Sequence, residues 1–173
     1  MKLRKIILMA LLLAAAIVIN RFLSIKTSIL QISFTFVPLM LTAIILGPKE
    51  SVIVATLADV IGALLFPFGA FFIGYTISAL LTGLTYGLLL SRKDEFKVDK
   101  KFIIHLIIAA LIVTIIINGG LNTLWITITT KKAVLATLPI RIVKQLIMAP
   151  IMIFSMLGLT KEFEKEINVT RNA

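Results

Sequence analysis

Apolar positions dominate this chain in long blocks, and polar ones gather in short clusters between them. The first block, MKLRKIILMALLLAAAIVIN, has a basic flank and then runs apolar from Ile6 to Ile19. A basic flank, an apolar stretch and an Ala-rich end are also the features of a secretory signal peptide. The block continues into RFLSI and more hydrophobic blocks follow, so it is read as a first transmembrane helix. Further blocks end at GPKE (47–50), at FPFG (66–69) and at RKDEFKVDKK (92–101), the one obvious hydrophilic loop. The pattern predicts six spans at about 4–23, 34–47, 50–66, 69–91, 102–129 and 134–160. The expected fold is all-α: a six-helix transmembrane bundle, with residues 1–173 forming a single integral membrane domain and no internal repeat.

Composition strengthens that reading. The 173 residues are 60% hydrophobic with a mean hydropathy of +1.10, against roughly 45–50% apolar in soluble domains. There is no cysteine and one histidine, His105, so a disulfide framework and a thiolate metal site are excluded and no metal or cofactor is expected. A lone histidine in an apolar helix is read as packed or interfacial. No G-x-x-x-x-G-K-[ST] loop occurs, so ATP-driven work would need another subunit.

The net charge of +10 raises the question of nucleic acid, but topology accounts for it. With both termini in the cytoplasm, twelve of the 18 Lys and Arg residues fall on the cytoplasmic side, as the positive-inside rule requires. Arg21, Lys26, Lys131, Lys132, Arg141 and Lys144 fall on the outer side, where Asp59 is the lone carboxylate. Lys26, Lys131 and Lys132 lie near span ends and can snorkel to headgroups. Arg21, Arg141 and Lys144 are harder to explain that way, and unneutralised outer cations attract an anionic solute.

Three constellations carry candidate chemistry. In span 5, Thr114, Asn118, Asn122 and Trp125 share one helical face, with Gly119 and Gly120 between them. Such a face can hydrogen-bond and stack on a flat heterocycle, or it can glue helices together; Trp125 also suits an interfacial belt. In span 6, Arg141 and Lys144 are i, i+3 neighbours beside Gln145. Intramembrane cations face a cavity or a partner, and a ligand carboxylate is favoured over a structural ion pair. At the junction of spans 3 and 4, Phe66, Phe68, Phe71, Phe72 and Tyr75 form either an interfacial girdle or the wall of an aromatic pocket. Phe34 and Phe36 are placed to cover it. Small residues at four-residue spacing, Ala10 and Ala14 in span 1 among them, allow close helix approach.

The segments RFLSI (21–25), GPKESVIVATLADVIGALLFPFGAFFIGYTISALLTGLTYG (47–87), NTLW (122–125) and RIVKQLIMAPI (141–151) resemble the folate-specific S components of energy-coupling factor (ECF) vitamin transporters. The LFPFGAFFIGYTISA and NTLW pieces are the specific ones; Ile73 stands where that family often has Pro, and Gln145 where Asn is common. The resemblance implies a six-helix bundle that binds folate from outside with high affinity. It also implies a transmembrane coupling subunit and two cytoplasmic ATPase subunits as partners. Ala10 and Ala14 match the family's Ala-x-x-x-Ala docking motif for the coupling subunit, and the 24–33 loop matches its lid. The loaded subunit is then expected to topple in the bilayer. For folate, Trp125 and some of Phe66, Phe68, Phe71, Phe72 and Tyr75 are the stacking candidates. Asn118 and Asn122 are candidates for the pterin edges, Arg21, Arg141 and Lys144 for the carboxylates, and Asp59 for the pterin amine. Two alternatives stay open: a sibling S component for another vitamin or precursor, such as pantothenate or hydroxymethylpyrimidine, and a membrane-embedded enzyme. The enzyme is disfavoured because no paired carboxylates, metal-ligand cluster or nucleophile–base set occurs. A solitary proton-coupled carrier would show inverted repeats and several intramembrane acids, and neither is visible.

Overall fold

With no water to satisfy backbone groups, apolar segments of this length close their hydrogen bonds internally, as helices. The computed structural model describes residues 2–26, 31–67, 71–92, 95–130 and 134–172. Helix α1 (Lys2–Arg21) is followed by a small antiparallel hairpin, β1 (Ile25–Lys26) with β2 (Gln31–Ile32), in which Ile25 pairs with Ile32 and Lys26 with Gln31. Then come α2 (Phe36–Ile45), α3 (Pro48–Leu65) and α4 (Ile73–Leu90). A continuous helical rod follows, made of α5 (Lys100–Leu111), a π-helical stretch (Ile112–Leu121) and α6 (Asn122–Thr130). Helix α7 (Val134–Glu162) carries Pro139 and Pro150 inside it, and α8 (Glu164–Asn172) closes the chain.

Among the described residues, four helical stretches are long and apolar enough to cross a bilayer: Leu3–Arg21, Ile73–Leu90, Lys100–Thr130 and Leu138–Glu162. The expected second span is a ten-residue helix, only about 15 Å long at 1.5 Å per residue. The third, α3, includes Lys49, Glu50 and Asp59. One other expectation changes shape: the 24–33 segment contains a hairpin.

The tightest packing joins α3 to α4. A Cβ on Gly83 would stand 2.6 Å from the carbonyl oxygen of Ser51 and 2.8 Å from Ala55 Cβ; one on Gly87 would stand 2.6 Å from Pro48 Cα. Absent side chains therefore let the two backbones meet, and Ser51 Oγ donates to the Gly83 carbonyl at 2.9 Å. The turn into α3 uses Gly47 at φ 107, a left-handed conformation that other residues resist, followed by Pro48 at the helix start. The core fills the space between α2, α3, α4 and α5 with Met40, Ile44, Val54, Tyr86 and Leu106, all almost fully buried. Helix α1 is different: only Leu12 and Ala16 are buried, while Leu3, Ile7, Leu11 and Val18 face outward.

One end of the bundle is held by polar ties. Lys5 Nζ meets Glu50 Oε1 at 2.5 Å, joining the starts of α1 and α3. Asp99 caps α5 by accepting from the Phe102 N–H at 2.7 Å. The Arg92 guanidinium, also 2.7 Å from Asp99 Oδ1, and then that N–H hold the Asp99 carboxyl down at about 2. Asn168 of α8 clamps the loop between α4 and α5, accepting from Phe96 N at 2.7 Å and donating to Phe96 O at 2.8 Å. Buried Ile167 and Phe96 lie beneath this clamp.

A Gly83→Val substitution should force α3 from α4 and cost about 1–3 kcal/mol. The check is a lower thermal midpoint of the detergent-solubilised protein.

Candidate functional site

Helical polar residues that cannot face lipid must face one another or a hollow, and here they converge on a cavity of about 660 Å³. That volume is within the range of small-molecule sites, roughly 300–1,000 Å³. The end of α1, the hairpin, α3, α4, the π-helical stretch and α7 all contribute to its wall.

At the mouth, Gln31 Nε2 donates to Asn20 Oδ1 at 2.8 Å and so ties the hairpin to α1. Ser33 and Thr35 follow, their hydroxyls 2.5 Å apart. The ring wall comes from Phe36, Phe71, Phe72 and Tyr75. Along α4, Tyr75, Ser78, Thr82 and Tyr86 present one face to the cavity. The other side is lined by Tyr86, Met148 and Met152, with the Tyr86 hydroxyl donating to Met152 Sδ at 3.5 Å.

The π-helical stretch and the start of α6 supply the amides, Asn118 and Asn122. The wider winding of the π-helical stretch disturbs the regular i→i−4 ladder, a distortion often found at functional sites. Arg141 Nη2, from α7, donates to the main-chain oxygen of Asn118 at 2.9 Å. Asn122 Nδ2 donates to Asn118 Oδ1 at 2.9 Å, so the two amides form one unit on the cavity wall. Among the described residues, Asn122 Oδ1, Gln145 Nε2 and Arg21 Nε are buried without a hydrogen-bond partner. Each such group carries a penalty of about 1–3 kcal/mol that a polar ligand would relieve. Charge is one-sided: Arg21, Arg141 and Lys144 line the cavity against the single carboxylate of Asp59.

Most of the candidates named from sequence meet here. Arg21, Phe71, Phe72, Tyr75, Asn118, Asn122, Arg141 and Lys144 all line the cavity. Trp125 does not. Its ring packs on Phe72 (centroids 5.7 Å apart) and its N–H donates to Ser78 Oγ at 3.0 Å, so it supports the wall from behind. The i, i+11 spacing from Thr114 assumes α-helical winding throughout, whereas the rod is π-helical from Ile112 to Leu121. Phe66 is also outside, stacked edge-on against Phe22 at 5.0 Å. Phe68 lies outside the described residues. Phe36 is buried and reaches the cavity, while Phe34 stays about half exposed. Ala10 and Ala14 are exposed on the outward face of α1, away from the cavity.

Sequence reasoning missed Gln31, Ser33, Thr35, Ser78, Thr82 and Tyr86. The signal was present: Tyr75, Ser78, Thr82 and Tyr86 stand at i, i+3, i+7 and i+11, one polar stripe on an apolar helix. Gln31, Ser33 and Thr35 alternate, as one face of an extended segment does.

Comparison with known proteins gives this cavity a family. The folate transporter FolT of Clostridium novyi (strain NT) is 39% identical over 150 residues, covering 87% of this chain and 84% of the relative. FolT of Leuconostoc mesenteroides subsp. mesenteroides is 37% identical over 155 residues, 87% of this chain and 80% of the relative. Among solved structures, a crystal structure of FolT bound with folic acid superposes with a TM-score of 0.77 at 37% identity, covering 87% of this chain and 88% of that one. Residues 4–160 match the family described as the substrate-specific component of ECF transporters. The chain therefore belongs to the substrate-specific components of ECF transporters, multi-pass membrane proteins that bind a solute for transport and carry out no catalysis of their own.

Proposed function

We propose that this chain is the high-affinity folate-binding subunit of an ATP-driven ECF importer in the cell membrane. The observation that carries the reading is a ligand-sized cavity in which three cations, an asparagine pair and an aromatic wall converge. Folate joins a flat pterin to an aminobenzoyl ring and a glutamate with two carboxylates, and each part has a partner of matching chemistry here. Phe71, Phe72 and Tyr75 stack on its rings, Asn118 and Asn122 bond pterin edges, and Arg21, Arg141 and Lys144 hold carboxylates. Trp125 buttresses Phe72. Asp59 accepts from a donor on the ligand. The FolT relatives and the FolT structure bound with folic acid support the choice of vitamin.

The working topology has six crossings, α2 and α3 included, with both termini in the cytoplasm. The distribution of Lys and Arg supports it, as does the Lys5–Glu50 pair that puts the starts of α1 and α3 at one end. With no nucleotide site of its own, the subunit works with a transmembrane coupling subunit and two cytoplasmic ATPases. Helix α1 offers the docking face: Ala10 and Ala14 are exposed between outward-facing Ile7, Leu11 and Val18. Small residues there let a partner helix approach closely in the bilayer.

Isothermal titration of the isolated protein should give submicromolar binding of folic acid and 5-formyltetrahydrofolate and none of thiamine or pantothenate. Binding of pantothenate instead would make the chain a sibling S component. Arg141→Ala should weaken folic acid binding about 10- to 100-fold, the usual loss for a hydrogen bond to a charged group. An unchanged affinity would remove Arg141 from the site.

The docking face has a separate test. In the assembled transporter, Ala10→Trp/Ala14→Trp should abolish ATP-driven folate uptake. Affinity of the isolated subunit should stay within about twofold, since the two sites do not touch.

A further inference from the structure

Helix α3 carries a buried glycine, Gly62, one turn after Asp59 and close to its end. Glycine is a poor helix former, and the one described glycine with positive φ is Gly47, so local backbone geometry gives no reason for it. The reason lies across the α1–α3 interface. A Cβ built on Gly62 would stand 2.7 Å from Nε, 3.1 Å from Nη2 and 3.3 Å from Cζ of Arg21. The guanidinium therefore rests on bare backbone, and a side chain beneath it would push it from this position. From this shelf Nη2 reaches the main-chain oxygen of Asp59 at 3.5 Å.

The neighbouring carboxylate makes the arrangement informative. Among the described residues Asp59 is the one acidic side chain lining the cavity, and its obvious partner is Arg21. Among the described residues no ion pair joins them. Thr76, from α4, donates instead to Asp59 Oδ2 at 2.8 Å. Arg21 Nε stays buried without a hydrogen-bond partner. A guanidinium and a carboxylate that stand side by side thus make their hydrogen bonds elsewhere, with no direct ion pair between them.

We propose that Gly62 is a positioning residue: its missing side chain is the shelf that holds the Arg21 guanidinium in the cavity, out of an ion pair with the Asp59 carboxylate and available to the anionic part of the ligand. This assignment rests on the reading of the cavity as a folate site. Any side chain at position 62 lifts the guanidinium off α3, and Arg21 then turns to Asp59 or to solvent. Either way the cavity loses a fixed positive charge.

The test is titration of folic acid into wild-type protein, Gly62→Ala, Arg21→Gln and the double variant, at about 50 and about 500 mM KCl, where screening separates charge from shape. Gly62→Ala should weaken binding at least about tenfold, as Arg21→Gln should, and the double variant should be no weaker than Arg21→Gln alone. All three variants should lose less affinity with added salt than the wild type does. The thermal midpoint of Gly62→Ala should hold or rise, because alanine is the better helix former. Wild-type affinity in Gly62→Ala, losses that multiply in the double variant, or an undiminished salt dependence would each overturn the assignment. Arg21→Gln binding as tightly as wild type would overturn it too, by removing Arg21 from the ligand. A wild-type protein that ignores folic acid would overturn the functional reading and this assignment with it.

Discussion

Across the bundle, Arg141 donates to the main-chain oxygen of Asn118 at 2.9 Å. That one bond brings together the two things a membrane interior forbids, a charge and a disturbed backbone. The π-helical stretch cannot close its ladder in the regular way, and the guanidinium cannot stay in hydrocarbon without a partner. The bond gives the guanidinium an acceptor within the stretch whose winding departs from the α-helix. Helix α7 is thereby tied to the rod α5–α6, and the asparagine pair is held on the wall of a cavity.

The rest of the cavity follows the same logic. Polar side chains in an apolar helix are tolerated where they bond each other or line a hollow. Thr76 secures Asp59, Gln31 secures Asn20, and Trp125 bonds Ser78 while bracing Phe72. Once these internal bonds are made, some buried polar atoms are left without a partner. They include an amide oxygen on Asn122, an amide nitrogen on Gln145 and a guanidinium nitrogen on Arg21. An anion bearing flat rings and hydrogen-bonding edges suits that remainder, whereas an apolar solute would leave it unsatisfied.

Tight packing and outward exposure fall on different helices. Helices α3 and α4 meet at backbone distance through Gly83 and Gly87 and form the stiff part of the bundle. Helix α1 buries little more than Leu12 and Ala16, and its outward face is apolar with small residues in the middle. Helix α4 gives the cavity a polar stripe from this firmly packed pair, while α1 contributes its last turn, Asn20 and Arg21, to the mouth.

The sequence alone determined that this is a helical membrane protein, because long apolar blocks punctuated by Gly-Pro and charged clusters leave the backbone no other way to satisfy itself in a bilayer. It also exposed the anomalies: amides in span 5, cations in span 6, rings around FPFG and Ala10 with Ala14. What it could not determine was which anomalies share a hollow. Trp125 belongs by spacing with Asn118 and Asn122, yet π-helical winding ahead of it changes the face it shows, and it braces Phe72 from behind. Phe66 belongs by position with Phe71 and Phe72, yet it packs on Phe22. Gly62 reads as an ordinary small residue until Arg21, 41 positions earlier, is laid across it. Periodicity reports which face of one helix a residue occupies, whereas a binding site is set by how faces of several helices are turned toward one another. Only tertiary packing fixes those rotations.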